Sequence, residues 1–151
     1  MKFLLLLTIC LPAFAQPSDE AVVKMSVSQL FEGMKKADST MLKTLFMPTA
    51  RLQTVINKQG DVSVRDEAIS GFISSIGKAK AGTLNERLSG MDIKIDGELA
   101  TVWTPYVFYF QNKKSHCGVN AFTLVKIGES WKIQTIIDTR RKDNCPDLPK
   151  Q

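Results

Sequence analysis

Three long segments between residues 99 and 141 constrain the fold more than any other part of the chain. They read ATVWTPYVFYF, HCGVNAFTLVKI and WKIQTIIDTRR, and short breaks at QNKKS and Gly128-Glu129 separate them. Polar and apolar side chains alternate in each segment, which is typical of a β-strand with one buried face. Strands joined by short loops pair antiparallel. We therefore predict one curved antiparallel sheet that carries most of the aromatic residues.

Length and composition predict a single globular domain, and the charge pattern does not favour a nucleic-acid-binding protein. The chain has 151 residues, of which 44% are hydrophobic, and this suits one core. The formal net charge is +5, but the 20 basic residues are spread along the chain in short pairs such as Lys35-Lys36 and Arg140-Arg141. Scattered pairs are typical of solvated surface, so we predict no nucleic-acid partner.

The first 15 residues have the pattern of a signal peptide. Lys2 supplies the positive start, residues 3–11 form an apolar run too short to span a bilayer, and Ala13 and Ala15 form a small-x-small cleavage site. An anchor on Cys10 is the alternative, although Ile9 stands where lipoprotein processing needs a small residue. We predict cleavage near Ala15, a secreted or periplasmic chain with no membrane span, and one domain over 16–151.

Cleavage would leave Cys117 and Cys145 in an oxidising compartment, where a disulfide between them is plausible. Such a bridge would tie the C-terminal tail to the central hairpin. The alternative is two separate thiols. A metal site on Cys117, Cys145 and His116 lacks a fourth ligand, so we predict no metal and no cofactor.

The earlier part of the chain predicts three helices and shorter strands. Apolar residues recur at helical spacing after Ser18, after Asp38 and after Asp66, each of which can cap a helix. Alternating residues 51–56 and 62–64 flank a turn, and residues 84–88 and 91–95 suit two more strands. This order predicts an α+β fold: a cone-shaped half-barrel in which a strongly curved, mostly antiparallel sheet packs on three N-terminal helices around a pocket.

Matching the strands through two-residue turns at Lys113-Lys114 and Gly128-Glu129 assigns residues to faces. One face mixes aromatic residues with a few polar groups, the composition of a ligand pocket. Its predicted members are Val102, Thr104, Tyr106, Phe108, Phe110, Cys117, Val119, Ala121, Thr123, Val125, Gln134, Ile136, Asp138 and Arg140. The opposite face includes Trp103, His116 and Phe122, and is predicted to be core or an oligomer interface.

Asp138 is the candidate catalytic residue, because desolvation in a semi-apolar pocket would raise its pKa and make it a proton acceptor. The alternative is a carboxylate paired with Arg140 or Arg141. Tyr106 and Thr123 can donate hydrogen bonds, and His116, the only histidine, titrates nearest neutrality. His116 is kept as a secondary site residue or an acid partner. The sequence has no phosphate loop, HExxH, GxSxG or dinucleotide motif.

The segments VWTPYVFYF, SHCGVNAFTLVK, WKI and IIDTRRKDNC resemble the small bacterial proteins of the family called "putative lumazine-binding", within the nuclear-transport-factor-2-like (SnoaL-like) superfamily. The resemblance extends from Val22 to Cys145. It implies a cone-shaped α+β barrel, a pocket between sheet and helices, and a homodimer through the outer sheet surface. Thr123 falls where related isomerases place an acid, and this departure weakens an isomerase assignment.

We therefore predict a secreted or periplasmic protein that binds a small, partly aromatic or anionic molecule. The predicted ligand-binding residues are Tyr106, Phe108, Thr123, Asp138 and Arg140. One alternative is an isomerase, cyclase or dehydratase that uses Asp138 as its acid-base group, and another is a non-catalytic dimerisation domain.

Overall fold

A computed structural model describes residues 16–148, and the predicted signal peptide lies outside this range. The order of elements is α1 (Asp19–Lys36), α2 (Ser39–Leu45), β1 (Phe46–Lys58), β2 (Asp61–Glu67), α3 (Ile69–Lys78), β3 (Leu84–Leu88), β4 (Asp92–Asp96), β5 (Leu99–Phe110), β6 (Lys113–Ile127) and β7 (Ser130–Thr139). Three helices pack on one mostly antiparallel sheet, which confirms the predicted α+β class.

The sheet has the strand order β2-β1-β7-β6-β5-β3, and β4 pairs with β5 as well. All neighbouring strands are antiparallel except β1 and β7, which run parallel. The three strands recognised from alternation, β5, β6 and β7, are therefore adjacent to each other. Apolar residues from all three strands belong to the core on which the helices pack.

Helix α1 begins where the sequence predicts, because the Ser18 hydroxyl accepts a hydrogen bond from the amide of Ala21. Asp38 caps α2 through the amide of Met41 in the same way. The predicted cap of α3 is wrong. Asp66 lies in β2 and pairs with Arg51 on the neighbouring strand β1, and the N-cap position is Ala68, which makes no side-chain cap.

The core lies between the helices and one face of the sheet. The apolar stripe of α1 is buried there and packs on residues from β5, β6 and β7, and the rings of Phe31 and Phe122 meet edge-on at 6.1 Å. Trp131 is 2% exposed, and its indole donates a hydrogen bond to Asp19 at the start of α1. Burial of apolar surface between the helix and the sheet stabilises their contact by about 25 cal/mol for each Å² that is removed from water.

The C-terminal tail folds back on the other face of the sheet. Cys117 and Cys145 form a disulfide, which confirms the bridge expected from the sequence rather than two separate thiols. Residues Cys117 and Arg141 exchange backbone hydrogen bonds of 2.9 and 2.8 Å. Cys145 and Leu148 pack beside Val107 and Tyr109 on β5. The tail thereby covers one end of a sheet face that carries no helix.

Candidate functional site

A cavity of about 230 Å³ lies between the concave face of the sheet and the helices α1 and α3. Its wall combines apolar side chains with a dense set of ionisable ones. The lining residues are Met34, Glu67, Phe72, Ser75, Ile76, Leu84, Glu86, Tyr106, Phe108, His116, Asp138 and Arg140. We call this the central cavity. Four of the five predicted ligand-binding residues line it, and Thr123 does not.

Asp138 is the hub of the buried polar groups in the central cavity. Its side chain is buried, with its residue 5% exposed, and its Oδ2 accepts hydrogen bonds from the Arg140 Nε at 2.6 Å and the Tyr106 hydroxyl at 3.3 Å. Its Oδ1 is buried and has no hydrogen-bond partner among residues 16–148. An unsatisfied carboxylate oxygen costs desolvation free energy, so a polar group of a ligand can offset that cost.

Tyr106 is held in place rather than free to act. Its hydroxyl has one proton, and two acceptors lie within reach: Oδ2 of Asp138 and the carbonyl oxygen of Thr139, at 3.3 and 3.0 Å. Burial raises the pKa of Tyr106, and the negative charges of Glu86 and Asp138 raise it further. The phenol therefore stays protonated and positions Asp138.

Gly118 makes this arrangement sterically possible. It lies directly opposite Tyr106 in the pairing of β5 with β6. A Cβ atom at this position would lie 1.8 Å from the Thr139 carbonyl oxygen and 3.0 Å from a ring carbon of Tyr106. A side chain here would displace the Thr139 carbonyl group and crowd the ring of Tyr106, so glycine allows both to lie close to β6.

Glu86 is a cavity residue that sequence reasoning missed. It lies on the short strand β3, and its Oε1 accepts a hydrogen bond of 2.6 Å from the Asn120 amide. Burial raises the pKa of Glu86 from 4.5 to about 7, with a contribution from the nearby charge of Asp138, while the hydrogen bond from Asn120 opposes the rise. Leu84 and Leu88 flank it at a spacing of two residues, so strand alternation alone would have assigned it to a buried face.

His116 faces the central cavity as well. Its ring meets the ring of Phe108 at 5.0 Å and the edge of Tyr106 at 5.8 Å. Burial lowers the pKa of His116, and the charge of Arg140 lowers it further. Its Nδ1 lies 3.1 Å from the Ser115 hydroxyl, so Nε2 is the ring nitrogen left to face a ligand. The histidine is thus a neutral hydrogen-bonding group near pH 7.

The predicted face of β6 is wrong, and two β-bulges explain the error. The β5–β6 turn falls at Gln111 and Asn112 rather than at Lys113 and Lys114, but this displacement alone would not change the faces. An extra residue, Ser115, shifts the β5–β6 pairing between Phe108 and Tyr109, and Gln134 shifts the β6–β7 pairing. Each bulge exchanges the faces once, so the two cancel between β5 and β7.

The consequence is that Tyr106 and Asp138 share a face, as predicted, whereas the assignments of Thr123 and His116 are exchanged. Thr123 pairs with Thr101 and Thr135 on the outer face of the sheet. Its hydroxyl lies 2.5 Å from that of Thr135, in a shallow depression beside Trp103. His116 takes the cavity side, and Asn120 joins it there to bind Glu86.

Solved structures with the same arrangement of helices and sheet belong to nuclear-transport-factor-2-like proteins. One from Shewanella baltica, of unknown function, is 20% identical, with a TM-score of 0.62 over 83% of this chain and 95% of that chain. The chain has the nuclear-transport-factor-2-like fold. A member from Streptomyces avermitilis named a "putative dehydratase" is 12% identical, with a TM-score of 0.63 over 82% of this chain and 96% of that one.

A protein of unknown function from Nostoc punctiforme, described as having a cystatin-like fold, shares the architecture too. It is 11% identical, with a TM-score of 0.64 over 83% of this chain and 92% of that chain. No protein-family model and no curated protein matches the sequence. At these identities the likeness establishes the fold, and the chemistry of the site has to be argued from its own residues.

The ionisable side chains of the central cavity can form hydrogen bonds and transfer protons. Within residues 16–148, no group of three or more His, Cys, Asp or Glu side chains is arranged to hold a metal ion. No helix in the same range is long and apolar enough to cross a membrane. Two groups in the cavity can exchange or share protons with a bound molecule. They are Glu86, whose pKa is near neutrality, and the neutral ring of His116.

Proposed function

We propose that this chain, exported and processed near Ala15, binds a small organic molecule in the central cavity. The observation that carries the proposal is the convergence of Glu86, His116 and the Oδ1 of Asp138, which has no partner among residues 16–148, on one small cavity with partly apolar walls. Polar groups that fix the orientation of a molecule held against apolar side chains are typical of ligand sites. The cavity suits a molecule no larger than roughly a bicyclic ring.

The charges of the cavity favour a neutral molecule over an anion. Among residues 16–148, Arg140 is the one cationic side chain at the cavity, and its guanidinium already pairs with Asp138. Glu67 and Glu86 add further carboxyl groups at the wall. An anion would meet this negative potential without a free positive partner. A neutral heterocycle with both donors and acceptors, of which lumazine is an example in keeping with the family resemblance, complements Glu86, His116 and Asp138.

Thermal denaturation of the purified protein with and without ligand tests this proposal. We expect lumazine to raise Tm and 2-naphthoate, an anion of similar size, to leave it unchanged, because a ligand stabilises only the state that binds it. Asp138→Asn should abolish the lumazine shift, and Glu98→Gln, an exposed carboxylate on a turn, should preserve it. Equal shifts with both compounds, or an undiminished shift in Asp138→Asn, would contradict the proposed site.

A second candidate function is proton transfer of the isomerase or dehydratase kind, and the pKa of Glu86 favours it. A carboxyl group with a pKa of about 7 is matched to act as a base at neutral pH. In this scheme the ionised Glu86 takes a proton from the carbon next to a carbonyl group of the substrate, and His116 donates a hydrogen bond to the oxygen of the enolate that forms. The protonated Glu86 then returns a proton to carbon. Asp138, predicted as the base from sequence, acts instead as the group that holds Tyr106 and Arg140.

Exchange of the α-protons of cyclohexanone with deuterated water, followed by NMR, tests the second function. We expect the protein to accelerate exchange, with a rate that rises with pH through about 7 as Glu86 loses its proton. Glu86→Gln should remove the acceleration, and Glu98→Gln should not. Acceleration that Glu86→Gln does not reduce would contradict the assignment of Glu86 as the base.

We also propose that the chain forms a homodimer through the outer face of its sheet. Trp103 is 55% exposed on that face, and Leu99 is 50% exposed on the same strand. A depression of about 560 Å³ beside Trp103 offers a place for a side chain of a second copy. Exposed aromatic residues of this kind are typical anchors of protein interfaces.

A further inference from the structure

A second and larger depression lies outside the central cavity, between α2, α3 and the first residues of β1. Its volume is about 820 Å³, and it shares no lining residue with the central cavity. We call it the lateral groove. This volume falls within the range typical of sites for small organic ligands.

The floor of the lateral groove is apolar. Phe46 and Ile73 are buried at its base, 9% and 6% exposed, and Ala50 and Ile69 are half-buried beside them. On α3, Ile69 and Ile73 are one helical turn apart and face the groove together. A ligand that covers this floor is therefore stabilised by the burial of apolar surface.

The charge of the lateral groove is one-sided. Lys43 and Lys78 line it, and no aspartate or glutamate of residues 16–148 does. Neither lysine forms a salt bridge with any carboxylate of residues 16–148. Both ammonium groups are thus available to an anion, and no acidic side chain at the groove opposes one.

Both lysines lie within one helical turn of the place where α2 and α3 approach each other. Helices α2 and α3 nearly touch there, since a Cβ on Gly77 would lie 2.9 Å from the Cβ and Oγ of Ser39. Lys78 follows Gly77 directly, and Lys43 lies one helical turn after Ser39. The closed end is therefore cationic and carries a hydroxyl group, while the end near Pro48 and Ile69 is apolar.

We propose that the lateral groove binds an amphiphilic anion, a single-chain carboxylate such as a medium-chain fatty acid. Its carboxylate lies at the closed end with Lys43, Lys78 and Ser39, and its alkyl chain lies along Phe46, Ile69 and Ile73. An uncharged hydrocarbon would leave the lysines unused, and a small anion without a chain would leave the apolar floor exposed. Only a molecule with both parts satisfies both ends of the groove.

Isothermal titration with dodecanoate, kept below its micellar concentration, tests the proposal. We expect dodecanoate to bind, and acetate and dodecyltrimethylammonium to bind much more weakly, because they lack the chain or carry the opposite charge. The double variant Lys43→Gln and Lys78→Gln should lose about fivefold in affinity, the expected effect of two exposed ion pairs. The matched double variant Lys58→Gln and Lys113→Gln should bind as the original protein does.

A steric variant locates the chain of the ligand. Ser74 is exposed on α3 at the groove wall, so Ser74→Trp should fill the groove and abolish binding, whereas Ser63→Trp on the edge strand β2 should not. Circular dichroism of each variant checks that it folds. The proposal would be wrong if the protein bound dodecyltrimethylammonium as tightly as dodecanoate. It would also be wrong if the double variant Lys43→Gln and Lys78→Gln bound dodecanoate as tightly as the original protein. The proposal would also be wrong if Glu86→Gln lost dodecanoate binding, because the ligand would then depend on the central cavity. It would be wrong as well if the protein bound anionic lipid vesicles but not dissolved dodecanoate.

Discussion

At the scale of single residues, the protonation of Glu86 links the central cavity to stability. Unfolded Glu86 has a pKa near its ordinary 4.5, whereas burial raises its pKa to about 7 in the folded protein. Between these two values the folded state holds more protons than the unfolded state. The free energy of unfolding contributed by Glu86 therefore falls as pH rises through this window, by a total on the order of 3 kcal/mol.

We predict that Glu86→Gln removes this loss of stability. The variant should be more stable than the original protein at pH 8, and the difference should disappear below about pH 4.5, where both carry a neutral group at this position. Urea unfolding at a series of pH values measures it, with Glu98→Gln as the control. A constant difference between original and variant across the series would contradict the raised pKa.

His116 contributes to the same pH profile with the opposite sign. Its pKa is lowered by burial, so the unfolded histidine takes up a proton at a higher pH than the folded one does. Stability from His116 is therefore present at neutral pH and lost as pH falls below about 6.5. The two effects oppose each other in mildly acidic solution, which is why the comparison of variants is more informative than the profile of the original protein alone.

At the scale of secondary-structure elements, the sequence predicts the helices and strands well because their patterns are local. The stripe of α1 and the caps Ser18 and Asp38 lie where spacing places them. Asp66 fails as a cap because its carboxylate is taken by Arg51 on the adjacent strand, a contact between residues far apart along the chain. A local pattern cannot report such competition.

The site is less predictable than the fold because its geometry depends on two single-residue bulges. Alternation shows which residues of one strand share a face. A bulge changes which residues of the neighbouring strand lie on that same face of the sheet. Tyr106 and Asp138 are matched correctly since two bulges lie between them. Thr123 and His116 are matched wrongly because both lie on β6. One bulge lies in the pairing of β6 with β5, and the other lies in the pairing of β6 with β7.

The disulfide acts on the tail as an element. Cys117 and Cys145 enclose a segment with a sequence separation of 28, and closing a loop of this length stabilises by about 3–4 kcal/mol in the chain-entropy description. The tail it holds begins at Arg141, next to the Arg140 that pairs with Asp138. Loss of the bridge therefore loosens the end of β7 that carries the cavity residues.

We predict that Cys145→Ser lowers the free energy of unfolding by about 3 kcal/mol. Dithiothreitol should lower the stability of the original protein to the level of the variant and leave the variant itself unchanged. Urea unfolding with and without the reductant measures both effects. A variant as stable as the oxidised protein would show that the tail is held by its packing on β5, through Leu148 and Tyr109, and not by the bridge.

At the scale of the whole molecule, the two faces of the sheet differ in what covers them. The three helices cover the face that carries the cavity, and the tail covers one end of the opposite face. The remainder of that opposite face presents Trp103 and Leu99 to solvent beside the Thr123–Thr135 pair. A stable dimer needs about 800 Å² of such surface on each partner, and the outer surface of β4 to β7 lies on the opposite side of the sheet from the helices.

We predict that Trp103→Ser converts the proposed dimer to a monomer at micromolar concentration. Buried tryptophans are among the side chains whose loss costs an interface most, roughly 2 kcal/mol or more. Sedimentation velocity measures the change. Met25→Ser is the control, because Met25 is 51% exposed on α1, away from the sheet. If the original protein sediments as a monomer, the outer face is free in solution. If Met25→Ser dissociates the dimer as well, the interface involves α1.

Trp103 and the cavity residues lie on opposite faces of β5. Trp103→Ser should therefore leave ligand binding in the central cavity intact. This result would separate an assembly role of the outer face from the chemistry of the inner face.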